Sequence, residues 1–277
     1  MSRTAPRGER RTGPRRPERP RREAGTTPRD ASILPVRCLL APALLVALAS
    51  PGCGAAANAG PFRIELRRPV EELEVEALAA VPPPEGGEKL PPDLVDLSLL
   101  DPALRFDIRY AGSNNFMGAP FYRSAMAYPQ RPVAEALVTA HRELLRQGFG
   151  LLVFDAYRPW YVTWMFWEGT PENLRHFVAD PASGSRHNRG AAVDLTLYHI
   201  ASGSPAAMGS GYDEFTDRSH IDYQGVSAEE RENRDRLRGA MEKHGFSVYA
   251  NEWWHFDHRD WDEYPILNLT FEELGAP

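Results

Sequence analysis

Two short stretches, far apart in the chain, constrain the fold more than anything else in it: Ser185-Arg-His187-Asn-Arg-Gly190-Ala-Ala-Val-Asp194 and Glu252-Trp-Trp-His255. Together they offer two imidazoles, one carboxylate, and a second carboxylate alongside. That inventory suits a catalytic zinc site, with three protein ligands, a fourth position open to water and a general base nearby. On this reading His187, Asp194 and His255 hold one zinc per chain and Glu252 is the base. The first stretch begins in loop chemistry (Gly184-Ser185, Asn188, Gly190) and runs into residues 191–197, an apolar run that predicts a strand. In a straight strand, residues three apart face opposite ways. Glu252 and His255 therefore meet one ion only if the chain bends between Tyr249 and Trp253, and Asn251 suits such a turn.

The rest of the pattern is mixed. Residues 106–110 alternate like a strand, and residues 151–154 form an apolar strand that delivers Asp155 and Arg158 to its far end. Helical spacing over 133–147 stops at Gly148, a fitting C-terminal cap. A second helix is expected over 160–167. A third opens at the capping box Ser227-Ala-Glu-Glu230 and runs through Lys243. The expected class is α+β: a small antiparallel sheet carrying the zinc site, flanked by helices.

Charge is unevenly spread. Residues 1–37 hold eleven Arg against four acids, which leaves 21 basic and 34 acidic residues in the remainder of the chain. An acidic body argues against nucleic acid as a partner. Residues 1–35, rich in Arg and Pro, read as a disordered leader or as sequence upstream of the true start. Residues 36–53 have the make-up of a secretion signal: one positive charge, an apolar run, then small residues ending at Cys53. The apolar run is short for a membrane span, so any membrane attachment is expected through a lipid on Cys53. Export to the periplasm or to a lipid-anchored position follows. Both cysteines, Cys38 and Cys53, fall in this leader, so the body has no internal disulfide. Residues 54–92, with Val81-Pro-Pro-Pro84 and Gly86-Gly87, read as a tether that allows one short helix around 71–78. The catalytic domain is expected over 93–277.

The pattern S-x-H-x-x-G-x-A-x-D followed by E-x-W-H resembles the D-alanyl-D-alanine dipeptidases, including the vancomycin-resistance type, within a wider group of zinc peptidases acting on cell-wall peptides. Two further stretches share the resemblance: Asp107-Ile-Arg-Tyr110 with Asn115-Phe116 and Gly118, and Asp155-Ala-Tyr-Arg158-Pro159. Four separated matches are hard to obtain by chance. The resemblance runs from about Leu94 to the C-terminus and implies a small D,D-dipeptide as substrate. It implies that Arg158 stabilises the tetrahedral intermediate and that Asp213 meets the substrate ammonium, with Ser185 and Tyr110 as further substrate contacts.

Each of these residues also has a plainer reading. Asp194 would be a strand acid stabilising the fold, and Glu252 a partner holding a ligand imidazole. Arg158 would be an ion pair with Asp155, Ser185 a turn cap, Asp213 a loop acid and Tyr110 a packing residue. His141, His176, His199, His220, His244 and His258 have nothing that sets them apart as ligands. Two other functions stand beside the dipeptidase: a zinc carboxypeptidase or endopeptidase of broader specificity on stem peptides, and a non-catalytic exported lipoprotein binding metal or peptide.

Overall fold

A computed structural model of the chain describes residues 61–276. The leader and signal expected over 1–35 and 36–53, Cys53 with its lipid, and the start of the tether (54–60) lie outside the described residues. Among the described residues no helix is long and apolar enough to cross a membrane.

The class is α+β. Five strands, β1 (Arg105–Phe106), β2 (Phe149–Asp155), β3 (Ala192–His199), β4 (Phe246–Tyr249) and β5 (Glu252–His258), form one sheet in the order β1-β2-β3-β5-β4. β1 runs parallel to β2, and every other pairing is antiparallel. β3 lies at the centre and alternates cleanly. Val193, Leu195 and Leu197 are fully buried on one face, while Asp194 and Thr196 point to the other.

Four α-helices surround the sheet: α1 (Val70–Ala79), α2 (Arg131–Leu145), α3 (Trp160–Gly169) and α4 (Ala228–Lys243). α2 buries Val133, Leu137, Ala140 and Leu144 against β2, the spacing that its sequence announces. α4 starts at the expected box: Ser227 Oγ accepts from the Glu230 backbone at 3.2 Å while the Ser227 N–H donates to Glu230 Oε2 at 2.7 Å. Otherwise polar, α4 buries Leu237 and Met241 together with Arg234. The Arg234 guanidinium donates to the carbonyls of Met208, His220 and Arg218 at 2.6, 2.7 and 2.8 Å, so α4 grips the long loop between β3 and itself.

Two segments differ from the pattern in the sequence. The strand expected over 106–110 shrinks to β1. The chain turns after one more ladder bond, Asp107 N to Val153 O at 2.9 Å, and enters a 3₁₀ turn over Arg109–Ala111 that buries Tyr110. Residues 61–92, whose composition reads as a tether, are packed against the domain. The Ile64 N–H bonds to Phe116 O at 2.9 Å and the Arg67 N–H to Gly169 O at 3.1 Å. Leu73 and Ala77 of α1 are fully buried, and α1 packs on α3. Gly169 makes that approach possible, because a Cβ there would sit 3.0 Å from Leu73 and closer still to Met117. The sequence allowed this short helix, but its docking was obscured by the four glutamates among its apolar residues. Because Leu73 has no exposed surface, Leu73→Ala should destabilise the protein by about 2–5 kcal/mol. A urea melt with an unchanged midpoint would show that the segment contributes nothing to the fold.

Candidate active site

Strand register alone assembles much of the site. A bulge in β2 between Val153 and Asp155 sets Asp155 opposite Asp194, and β3 pairs Asp194 with His255 of β5, so the three residues form one row across three adjacent strands. His187 joins them from a 3₁₀ turn, Arg186–Arg189, ahead of β3. Ser185 caps this turn: its Oγ accepts from the His187 N–H at 3.2 Å, and its own N–H donates to Asn188 Oδ1 at 2.7 Å. Buried Asn188 reaches Arg158 O at 2.9 Å and Thr163 Oγ1 at 2.8 Å, tying the turn to the start of α3. Gly190 ends the turn at φ 63°, and a Cβ there would meet Leu94 at 2.5 Å.

Three acceptor atoms converge at the centre. His187 Nε2 lies 3.1 Å from His255 Nδ1 and 3.2 Å from Asp194 Oδ1, and His255 Nδ1 lies 3.0 Å from the same oxygen. The outer ring nitrogens explain which tautomers are present. His187 Nδ1 donates to Ala156 O at 2.6 Å, and His255 Nε2 donates to Asp257 Oδ1 at 2.9 Å. In its neutral form each imidazole therefore turns a lone pair inward, as a metal ligand would. Three buried lone pairs at this spacing demand a cation, and a metal ion fits. With no metal between them, Asp194 draws a proton onto His255 in its place. Burial opposes charge on His255, but its bonds to Asp194 and Asp257 outweigh that and push the imidazole up to about 10. Burial likewise works against charge on Asp194, and the two imidazoles overcome it, holding the carboxyl well below its ordinary value.

Glu252 opens β5 directly after the Ala250-Asn251 turn. Register shifts between Val248 and Tyr249, so that Tyr249 pairs with Glu252. That is the bend the two acid–imidazole positions require, and it brings Glu252 Oε2 to 3.8 Å from His255 Nδ1, beside the converging trio. Burial, reinforced by the Asp194 charge, pushes Glu252 up to about 7 against the opposing pull of His255.

Arg158 is held by Asp155, whose Oδ2 accepts from Nε at 3.0 Å and from Nη2 at 2.8 Å, with Asp194 Oδ2 3.8 Å from Nη2. The ion pair with Asp155 thus exists, and the guanidinium also lines the central cavity, 5.0 Å from the Tyr110 ring. Tyr122 secures the other carboxylate oxygen of Asp155 at 2.8 Å. The Tyr110 hydroxyl donates to the Asp213 carboxylate at 3.0–3.1 Å. Asp213 is the non-glycine residue with positive φ (56°) among the described residues, a conformation that Asp tolerates better than most. Burial and the nearby Asp194 charge push its carboxyl well above the ordinary range. A cavity of ≈370 Å³ opens onto Arg158, His187, Asp194, Asp213, Glu252 and His255, with Tyr110 and Ser185 also on its wall.

Every site residue singled out in the sequence among the described residues therefore faces one cavity; Cys53 lies outside them. Sequence reasoning missed two. Asp257 lies two residues beyond His255, hence on the same face of β5, and that spacing was a usable signal. Tyr212 donates to Asp194 Oδ2 at 2.8 Å and touches the Tyr110 hydroxyl at 3.2 Å, for which adjacency to Asp213 was the only hint.

Comparison with known proteins agrees with this geometry. Residues 92–273 match the Peptidase_M15 family profile, described as D-ala-D-ala dipeptidase. A D-alanyl-D-alanine dipeptidase of Enterococcus faecium is 38% identical over 189 residues, covering 61% of this chain and 92% of that protein. The Escherichia coli (strain K12) protein of the same name is 34% identical over 185 residues, 67% of this chain and 94% of its own length. One from Streptomyces coelicolor is 38% identical over 171 residues, 55% of this chain and 85% of its own. All four motif stretches fall inside the matched region, and the chain belongs to the D-Ala-D-Ala dipeptidase family of metallopeptidases.

Proposed function

We propose that this enzyme hydrolyses free D-Ala-D-Ala with one zinc ion held by His187, Asp194 and His255. The convergence of three acceptor atoms 3.0–3.2 Å apart, with Glu252 beside them, carries this reading. Tetrahedral zinc with bonds of about 2.0–2.2 Å needs donor atoms separated by roughly 3.3–3.5 Å, so the trio has only to relax by a few tenths of an ångström. Two neutral imidazoles and one carboxylate leave such an ion with a net positive charge. When bound it supplies Lewis acidity towards a carbonyl oxygen and acidifies a coordinated water. Glu252 takes the proton from the attacking water and returns it to the departing amine, a task suited to a carboxylate poised near neutrality. Arg158, its Nε and Nη2 fixed by Asp155, turns its remaining charge towards the oxygen on which negative charge grows. Asp213, buried with only a phenol as partner, receives the substrate ammonium, and Ser185 contributes by shaping the His187 turn.

The cavity volume of ≈370 Å³ favours one second reading, broader action on longer stem peptides. Three substrates decide between them: D-Ala-D-Ala, its N-acetyl derivative and a stem pentapeptide, each assayed with chelator and after zinc is restored. Only the free dipeptide should be cleaved rapidly, and only with metal. Asp213→Asn should slow that reaction by about 2–5 kcal/mol in transition-state terms and cost the N-acetyl peptide far less. Equal rates on all three wild-type reactions would replace the dipeptidase by the broader peptidase.

The apolar run ahead of Cys53 supports export, and the small residues before Cys53 support lipid attachment there. Fractionation of cells expressing the full chain, with and without Cys53→Ser, tests both.

A further inference from the structure

A dipeptide carries a positive and a negative end, and its scissile bond lies between them. We propose that Arg186 receives the α-carboxylate of the substrate, so that the enzyme reads the C-terminal end of its peptide as well as the N-terminal one. This rests on the dipeptidase reading and extends it to a residue that neither the motifs nor the chemistry above assigns.

The cavity holds three arginines, Arg158, Arg186 and Arg189. Arg158 is bound twice by Asp155 and lies near Asp194. Arg189 is spent as well: Nη1 donates to Tyr264 O and Nη2 lies 2.7 Å from Glu85 Oε1. Arg186 is different. Its buried Nε lies 3.3 Å from Asp257 Oδ2 in an ion pair without hydrogen-bond geometry, and among the described residues its terminal nitrogens make no hydrogen bond either. The side chain is 39% exposed and its Cζ lies 4.6 Å from the Trp261 ring centroid. A guanidinium held over an aromatic ring with its terminal nitrogens free is placed for a two-point grip on a carboxylate.

Position points the same way. A path of short contacts runs from Arg186 to Asp257, then to His255, Asp194, Tyr212, Tyr110 and Asp213. One end of the path is cationic, the other is the buried acid assigned to the ammonium, and the converging ligand atoms lie between. That order matches the order of groups in a free dipeptide: carboxylate, scissile bond, ammonium.

The test uses the metal-loaded full enzyme with D-Ala-D-Ala and with its C-terminal amide, the amide being read as substrate or, where it is not cleaved, as competitive inhibitor. Arg186→Gln should raise KM for the free acid about tenfold or more, the cost of losing one charge partner. Metal content and kcat should stay within about threefold, and KM or Ki for the amide should hardly move. Arg186→Lys, which keeps the charge without the fork, should fall between the two. An acid KM unchanged in Arg186→Gln overturns the inference. So does a loss of equal size on acid and amide, or a loss of metal, because either would show Arg186 acting through Asp257 on His255 instead. A wild-type enzyme that cleaves no free dipeptide would overturn the functional reading itself, which separates that failure from this one.

Discussion

Glu252→Gln should keep its metal and its fold and lose about 10²–10⁴-fold in kcat, the usual worth of a positioned proton acceptor. The side chain is well suited to the substitution. Glu252 stands 3.8 Å from His255 Nδ1, outside hydrogen-bonding range, so the amide disturbs no bond that orients the imidazole. What changes is the ability to accept a proton. The pH profile gives a second readout. Burial pushes the Glu252 carboxyl up to about 7, and a cation in the adjacent cluster pulls it back down. A base must be deprotonated to act, so wild-type kcat/KM should fall as pH drops through a limb below about 7, and that limb should vanish in the variant. Retained turnover would remove Glu252 from proton transfer. Lost metal would move it into the ligand set.

Removing a ligand should have a different signature. His187→Ala and His255→Ala should each bring metal content from about one ion per chain to near none after dialysis, since two remaining donors do not make a structural or catalytic zinc site. Activity should go with it. Stability should fall as well, because Asp194 is buried and kept charged by the two imidazoles. Breaking a buried charge pair of this kind costs about 3–5 kcal/mol. Metal analysis and thermal melts of the purified variants check both parts. Full occupancy in either variant would overturn the ligand assignment.

The convergence of His187, Asp194 and His255 was legible because both stretches carry local signals of their geometry. His187 sits in a turn made by Ser185, Asn188 and Gly190, and Asp194 lies on an apolar run that reads as a strand and is one. His255 pairs with it across the β3–β5 ladder. The bend at Glu252 could be demanded from strand periodicity and was hinted at by Asn251, though the register shift at Val248 was not visible. Other features depend on tertiary choices that local pattern does not encode. The bulge between Val153 and Asp155, which brings Asp155 into the row, leaves no compositional mark in Leu-Leu-Val-Phe-Asp. β1 is short because Tyr110 turns inward to Asp213, a partner 103 residues away. The short helix of α1 was allowed by the sequence but its docking was not, because its glutamates outweigh its few apolar residues and the close approach of Leu73 depends on a glycine in another helix.

The grip of Arg234 on the carbonyls of Met208, Arg218 and His220 has a consequence for how such enzymes diverge. It holds the loop by its main chain, which is the same whatever side chains the loop carries. Ion chemistry, by contrast, is fixed by ladder register, where a slip of one position turns every side chain to the wrong face. Heritable change is therefore cheap in one place and ruinous in the other. Residues between the clamped carbonyls, Phe215 of the cavity wall among them, form a cassette in which new substrate preferences can arise, provided that Tyr212 keeps its bond to Asp194. A library randomised only at positions 213–217, with Tyr212 kept, would sample specificity while leaving its bond to Asp194 in place.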